Sequence, residues 1–151
     1  DGLSNGDVEL ITGFRNNEPL RLEARGMEVM LLTVASGAPL PGPGIIVGDD
    51  LLESDPALVE AFTAAVAAAQ ADVIADPEVG LAAAEVAVPT IAEDPGVARA
   101  VLEATVALWE GDGFAEGAVD RELWAAGYDT MLRLGFIDGS VPLEDMLASD
   151  G

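Results

Sequence analysis

Three aspartate–proline pairs, Asp55-Pro56, Asp76-Pro77 and Asp94-Pro95, constrain this chain more than any other feature. Aspartate accepts hydrogen bonds from the free N–H groups of a helix's first turn. Proline, with its fixed φ and no N–H to satisfy, fits the first helical position. Each pair therefore predicts a helix start. The first helix places Leu58, Phe62, Val66, Ala69 and Val73 on one stripe. The second runs to about Val88 and is stopped by Pro89. The third aligns Val97, Val101, Thr105 and Leu108 and ends at Gly111. A fourth, from about Val119 to Gly135, carries Trp124, Tyr128, Met131 and Leu132. Unequal spacings and stripes exclude a solenoid repeat. The tail from Phe136 reads as a turn and one short helix.

The first fifty residues read differently. Val8 to Thr12, between Gly6 and Gly13, is a short strand. Pro19 and Gly26 frame a helix of about two turns. Met27 to Val34 is almost unbroken apolar sequence, as in a strand covered on both faces. Strand, helix and strand make a βαβ unit with a right-handed crossover. Residues 35–44 then hold three prolines and three glycines, which makes them a semi-rigid connector. Ile45 to Val47 is a third strand, and Gly48-Asp49-Asp50 a turn. So few strands cannot close a balanced sheet. The chain also opens mid-pattern, with no initiator methionine, signal peptide or apolar run of transmembrane length. It reads as a piece of a longer protein.

Composition removes whole classes of function. The 151 residues carry 28 acidic side chains against 6 arginines, for a net charge of −22, with no lysine, histidine or cysteine. Such a surface repels nucleic-acid phosphates and anionic membranes. Disulfides, thiolate nucleophiles, histidine bases, zinc sites and lysine Schiff bases are all out of reach. No acidic loop has calcium-binding spacing; Asp49, Asp50 and Asp112 do not form one. No catalytic residue, metal ligand or cofactor is assigned. Half of the residues are apolar, enough to bury a core despite the charge.

In open α/β sheets ligands bind in the loops at the carboxyl ends of strands. Gly13 to Glu18 is such a loop, and the candidate ligand-binding residues are Phe14, Arg15, Asn16, Asn17 and Glu18. A carboxylate at 18 matches an amino group beside a ring nitrogen, and Phe14 can stack on a heteroaromatic ring. Each has a plainer reading. Asn17 and Glu18 can cap the helix at Pro19, Phe14 can be a hydrophobic staple, and Asn16 and Asn17 can supply left-handed backbone. Arg15 can pair with an anionic ligand or with Glu18. Trp109, Trp124 and Tyr128 read as packing residues, Met27, Met30 and Met131 as fillers, and Glu9, Glu23 and Glu28 as solvated faces.

The ordered series of motifs resembles the C-terminal half of periplasmic solute-binding proteins of ABC importers, in the NMT1/THI5-like branch. It runs through Asn5-Gly6-Asp7-Val8, Gly13-Phe14-Arg15-Asn16-Asn17-Glu18 and Leu22-x-x-x-Gly26. The connector and return strand from Gly37 to Val47 and Asp55-Pro56-x-Leu58-Val59-x-x-Phe62-x-x-Ala65 follow. Asp76-Pro77-Glu78 and Trp124-x-x-x-Tyr128-x-x-x-Leu132-x-x-Gly135-x-Ile137 complete it. The resemblance implies an α/β chain, part of a bilobal periplasmic-binding-protein type II fold. Residues 1–38 would be the end of lobe 2, 39–44 the hinge, and 45–151 the helix-rich part of lobe 1. It implies a non-enzymatic, monomeric, extracytoplasmic protein or lipoprotein that carries a small heteroaromatic, thiamine-pyrimidine-like solute to an ABC permease. The alternatives are nitrate, sulfonate or taurine binding, or a thiamine-pyrimidine synthase of the same fold. The synthase would need histidine and a lysine-held pyridoxal phosphate. An acidic helical interaction protein without a small ligand is a third class.

Overall fold

A computed structural model describes residues 2–34, 37–110 and 119–147. The expectations placed on Ala35, Ser36, Gly111, Asp112 and the last four residues lie outside them. The described elements are α1 (Gly2–Asn5), α2 (Glu18–Glu23), α3 (Asp49–Ser54), α4 (Pro56–Ala75) and α5 (Pro77–Ala87). A 3-10 turn (Pro89–Glu93), α6 (Pro95–Glu110), α7 (Arg121–Arg133) and α8 (Leu143–Met146) complete the order.

The aspartate–proline reading holds at all three starts. Asp55 Oδ1 accepts from Leu58 N at 3.1 Å, Asp76 Oδ1 from Glu78 N at 3.1 Å, and Asp94 Oδ1 from Val97 N at 3.2 Å. Asp120 caps α7 in the same way, accepting from Leu123 N at 2.9 Å. Pro89 ends α5 as expected, because a proline there lacks the N–H that would continue the helix. Gly26 and Gly135 follow α2 and α7 with φ of +80° and +74°, a left-handed conformation in which a side chain would be strained.

The βαβ expectation is corrected. The described residues contain no strand; Val8–Thr12, Met27–Val34 and Ile45–Val47 have no regular structure. The physical reason is that a strand exists only through the ladder it makes with a neighbour, and none of these segments finds one. Most of their apolar side chains stand in solvent, with Met30 84% and Ile46 97% exposed, while Met27, Val29 and Val47 are half-buried. Asp49-Asp50, expected as a turn, instead opens α3, where two carboxylates favour a helix N-terminus.

The chain divides into two compact units, each built from two segments. In the first (Asp1–Leu31 with Ala64–Glu116), α6 packs on α2, α5 and the 3-10 turn. Gly80 of α5 lets Val73 and Leu102 close in: a Cβ there would lie 3.0 Å from the Val73 methyls and 3.4 Å from Leu102 Cδ2. Among the described residues of this unit, Val106 and Pro19 are buried. In the second (Leu32–Thr63 with Gly117–Gly151), α7 packs on α8. The proline-rich connector lies against Gly127 of α7, where a Cβ would come within 3.2 Å of Pro39 O.

The stripe expected on α4 is present in register but covered only at its C-terminal end, where Val73 is half-buried beside Gly80 of α5. Leu58, Phe62 and Val66 are all exposed. At 20 residues, with a mean hydropathy of 1.5 over its most apolar window, α4 is long and apolar enough to cross a membrane. That corrects the expectation that no segment reaches such length. Its many alanines carry the average, although Glu60 and Asp72 fall within it, and an acidic group at a bilayer centre costs about 2.5–3.5 kcal/mol.

Candidate functional site

The loop from Gly13 to Glu18 is held by its own side chains and by α6. A turn forms first, with Asn17 N donating to Phe14 O at 3.0 Å. Glu18, the first residue of α2, folds back over it. Its Oε2 accepts from Phe14 N at 2.6 Å and its Oε1 from Asn17 Nδ2 at 3.1 Å. Arg21, one turn along α2, donates from Nε to Asn17 Oδ1 at 2.7 Å. An ordered chain of donors and acceptors thus runs from Arg21 through Asn17 and Glu18 to the backbone of Phe14. Gly13 is required by this arrangement, since a Cβ there would lie 2.7 Å from Glu18 Oε2.

These bonds resolve the capping alternative in an unexpected form. Asn17 is the N-cap residue of α2, yet its side chain makes no capping hydrogen bond. The Glu18 carboxylate turns toward the preceding loop instead. Pro19 is buried and sits at the second helical position, one later than its spacing suggested. Asn16, Asn17 and Glu18 are half-buried, while Arg15 is exposed. The described residues include no Arg15–Glu18 ion pair. Phe14 is 60% exposed, so it is not sealed into a staple.

Asn16 reaches farthest. Its Nδ2 donates to Thr105 Oγ1 of α6 at 2.8 Å, across 89 residues of sequence. Thr105 Oγ1 in turn donates to Val101 O at 2.7 Å. The sequence places Thr105 on an apolar stripe and gives no sign of this contact, because nothing local to either residue encodes it. The structure thus brings Phe14, Asn16, Asn17 and Glu18 into one bonded loop and adds Thr105 and Arg21. Trp109, Trp124 and Tyr128 are half-buried, in keeping with packing roles, and Tyr128 OH donates to Val141 O at 2.7 Å.

Two other features carry charge or concavity. A shallow groove of about 310 Å³ between α5 and α6 is lined by Glu78, Leu81, Glu85, Pro95 and Arg99. There Arg99 forms a two-bond pair with Glu78, which holds the Glu78 carboxyl below its ordinary value. A second concavity of about 490 Å³ lies beside Tyr128, Phe136, Asp138 and Val141. Asp138 is likewise lowered, by its hydrogen bonds to Ser140. Neither concavity includes the Gly13 to Glu18 loop. Among the described residues no three acidic side chains converge as a metal-ligand set.

The model of the family described as NMT1/THI5 like matches residues 1–79, which takes in the loop, the connector and α4. The chain belongs to the NMT1/THI5-like family. This is the family that the loop and helix-start motifs resemble. Over 150 residues the chain is 27% identical to the riboflavin-binding protein RibY of Chloroflexus aurantiacus. That match covers 95% of this chain and 42% of RibY, so the chain spans about two-fifths of the curated relative's length. No solved structure matches the chain.

Proposed function

We propose that this NMT1/THI5-like chain belongs to a bilobal solute-binding protein of the periplasmic type II fold, which captures a small heteroaromatic solute and hands it to an ABC permease. The lobe division that the resemblance implies, 1–38, hinge 39–44 and 45–151, is not carried forward, because Asp1–Leu31 packs with Ala64–Glu116 in one compact unit and α2 lies on α6. Hinge closure on the solute is the working motion. The protein acts outside the cytoplasm as a monomer, in the periplasm or as an extracellular membrane-anchored lipoprotein. It performs no chemistry: the residues in hand include no histidine, cysteine or lysine.

One observation carries the assignment of the site. Phe14 stands 60% exposed on a loop whose neighbouring amides and carboxylate are fixed by hydrogen bonds. An aromatic face held beside ordered polar groups suits a flat, hydrogen-bonding ring, because stacking supplies area and the polar groups supply orientation. Riboflavin, which names the relative, and thiamine-type pyrimidines both have that form. The segments expected as strands fit the same reading, since Met27–Val34 and Ile45–Val47 carry apolar side chains suited to sheets completed by other strands.

Thermal-shift and fluorescence titrations with riboflavin, an aminopyrimidine, taurine and nitrate test the proposal. Riboflavin or the aminopyrimidine should raise Tm, and Phe14→Ala should weaken that ligand by about tenfold, as expected for loss of an aromatic stacking partner. If none of the four raises Tm, the solute-binding reading fails. Should Glu18→Ala bind the best ligand as wild type does, the site lies elsewhere.

A further inference from the structure

Thr105 has one hydroxyl proton, and Val101 O, a carbonyl, can only accept it. The contact with Asn16 must therefore run the other way, with Asn16 Nδ2 as donor and a Thr105 lone pair as acceptor. This fixes which end of the Asn16 amide faces α6. The amide is planar, so Oδ1 is left at its other end, and no described residue donates to it. The neighbouring Glu18 oxygens each take one protein donor and keep acceptor capacity. Near the exposed Phe14 ring in the chain, Asn16 Oδ1 and the Glu18 oxygens thus keep acceptor capacity, alongside the second N–H of the Asn16 and Asn17 amides.

We infer that Thr105 is a positioning residue for the candidate site: by holding Asn16 Nδ2 against α6 it turns Oδ1 outward as an acceptor, so that the loop selects heteroaromatic solutes with a ring N–H or amino group at the edge. This rests on the solute-binding reading and narrows it. Acceptor-only anions such as nitrate and sulfonates are disfavoured by the same oxygens, and by a net charge of −22. Arg15 is exposed and outside this hydrogen-bond chain, and Arg21, the cation within it, is bonded through Nε to Asn17 Oδ1.

Two measurements on the full chain test it. The first needs no ligand: hydrogen exchange of the Asn16 side-chain amide, followed by NMR. Protection should be present in wild type and in Thr105→Ser, which keeps the hydroxyl, and lost in the near-isosteric Thr105→Val. Equal protection in Thr105→Val overturns the positioning role, whatever the protein binds. The second compares riboflavin, which has a ring imide N–H, with 3-methylriboflavin, which lacks it. Wild type and Thr105→Ser should prefer riboflavin by roughly three- to tenfold, the range expected for one hydrogen bond. Thr105→Val should lose most of that preference. Equal affinity of wild type for both flavins overturns the donor selection. Binding of neither flavin, with Asn16 protection following the Thr105 hydroxyl, overturns flavin as the solute while the amide lock stands.

Discussion

Gly13→Ala probes the candidate site without removing any of its polar groups. The new Cβ would lie 2.7 Å from Glu18 Oε2 and 2.9 Å from both Cδ and Cγ. All three atoms belong to one flexible side chain, so the carboxylate moves and the backbone stays. Moving it breaks the 2.6 Å bond from Phe14 N and the 3.1 Å bond from Asn17 Nδ2. A hydrogen bond to a charged group is worth about 1.5–3 kcal/mol, and solvent at this half-exposed site reduces the pair to about 1–2 kcal/mol. Alanine offsets part of that. Gly13 is not among the glycines with left-handed backbone, so alanine stiffens the unfolded chain and contributes about 0.4–1 kcal/mol. The net expectation is a loss of about 0.5–1 kcal/mol, or a Tm lower by about 1–4 °C for a chain of this size. In a Glu18→Ala background the clash has no partner, and the same substitution should become stabilising by about 0.4–1 kcal/mol. Urea denaturation of the four proteins, followed by circular dichroism, measures both values. An identical effect of Gly13→Ala in the two backgrounds would refute the claim that the glycine exists to seat the carboxylate.

The remaining predictions concern the scaffold. Asp55→Ala, Asp76→Ala and Asp94→Ala should each destabilise by about 1 kcal/mol through loss of an N-cap, and asparagine at the same positions should restore most of it; urea midpoints report both. Glu78 and Asp138 have folded-state pKa values below their unfolded ones, so the stability they contribute is present above about pH 4.3 and lost as pH falls through the lowered values. Self-repulsion among the other carboxylates acts oppositely, so Tm should hold or rise from pH 7 to 5 and fall below about pH 4. Glu78→Gln should make the acid fall shallower. Raising salt from about 10 to 150 mM shortens the Debye length from about 30 to 8 Å and should raise Tm; an unchanged Tm would mean that the charge of −22 does not strain the fold.

What the sequence makes legible follows the range of the physics involved. A helix start is a contract among four residues, so Asp55, Asp76 and Asp94 could be read directly, and their side chains make the expected bonds. Glycines after α2 and α7 were readable for the same local reason. Strands are not local. Val8–Thr12, Met27–Val34 and Ile45–Val47 have the composition of strands, but a ladder needs a neighbour, and the described residues supply none. The α4 stripe repeats that lesson on a helix: Leu58, Phe62 and Val66 share a face and are exposed, and only Val73 at its end meets α5. The site divides along the same line. Phe14, Asn17 and Glu18 are within five residues of one another and their bonds follow from a turn. The Asn16–Thr105 bond spans 89 residues and exists because α2 packs on α6. Thr105 is therefore the residue no periodicity could single out, since on a helical wheel it is one more member of an apolar stripe. Its hydroxyl matters only once the loop is laid against it, and then it decides which end of Asn16 a solute would meet.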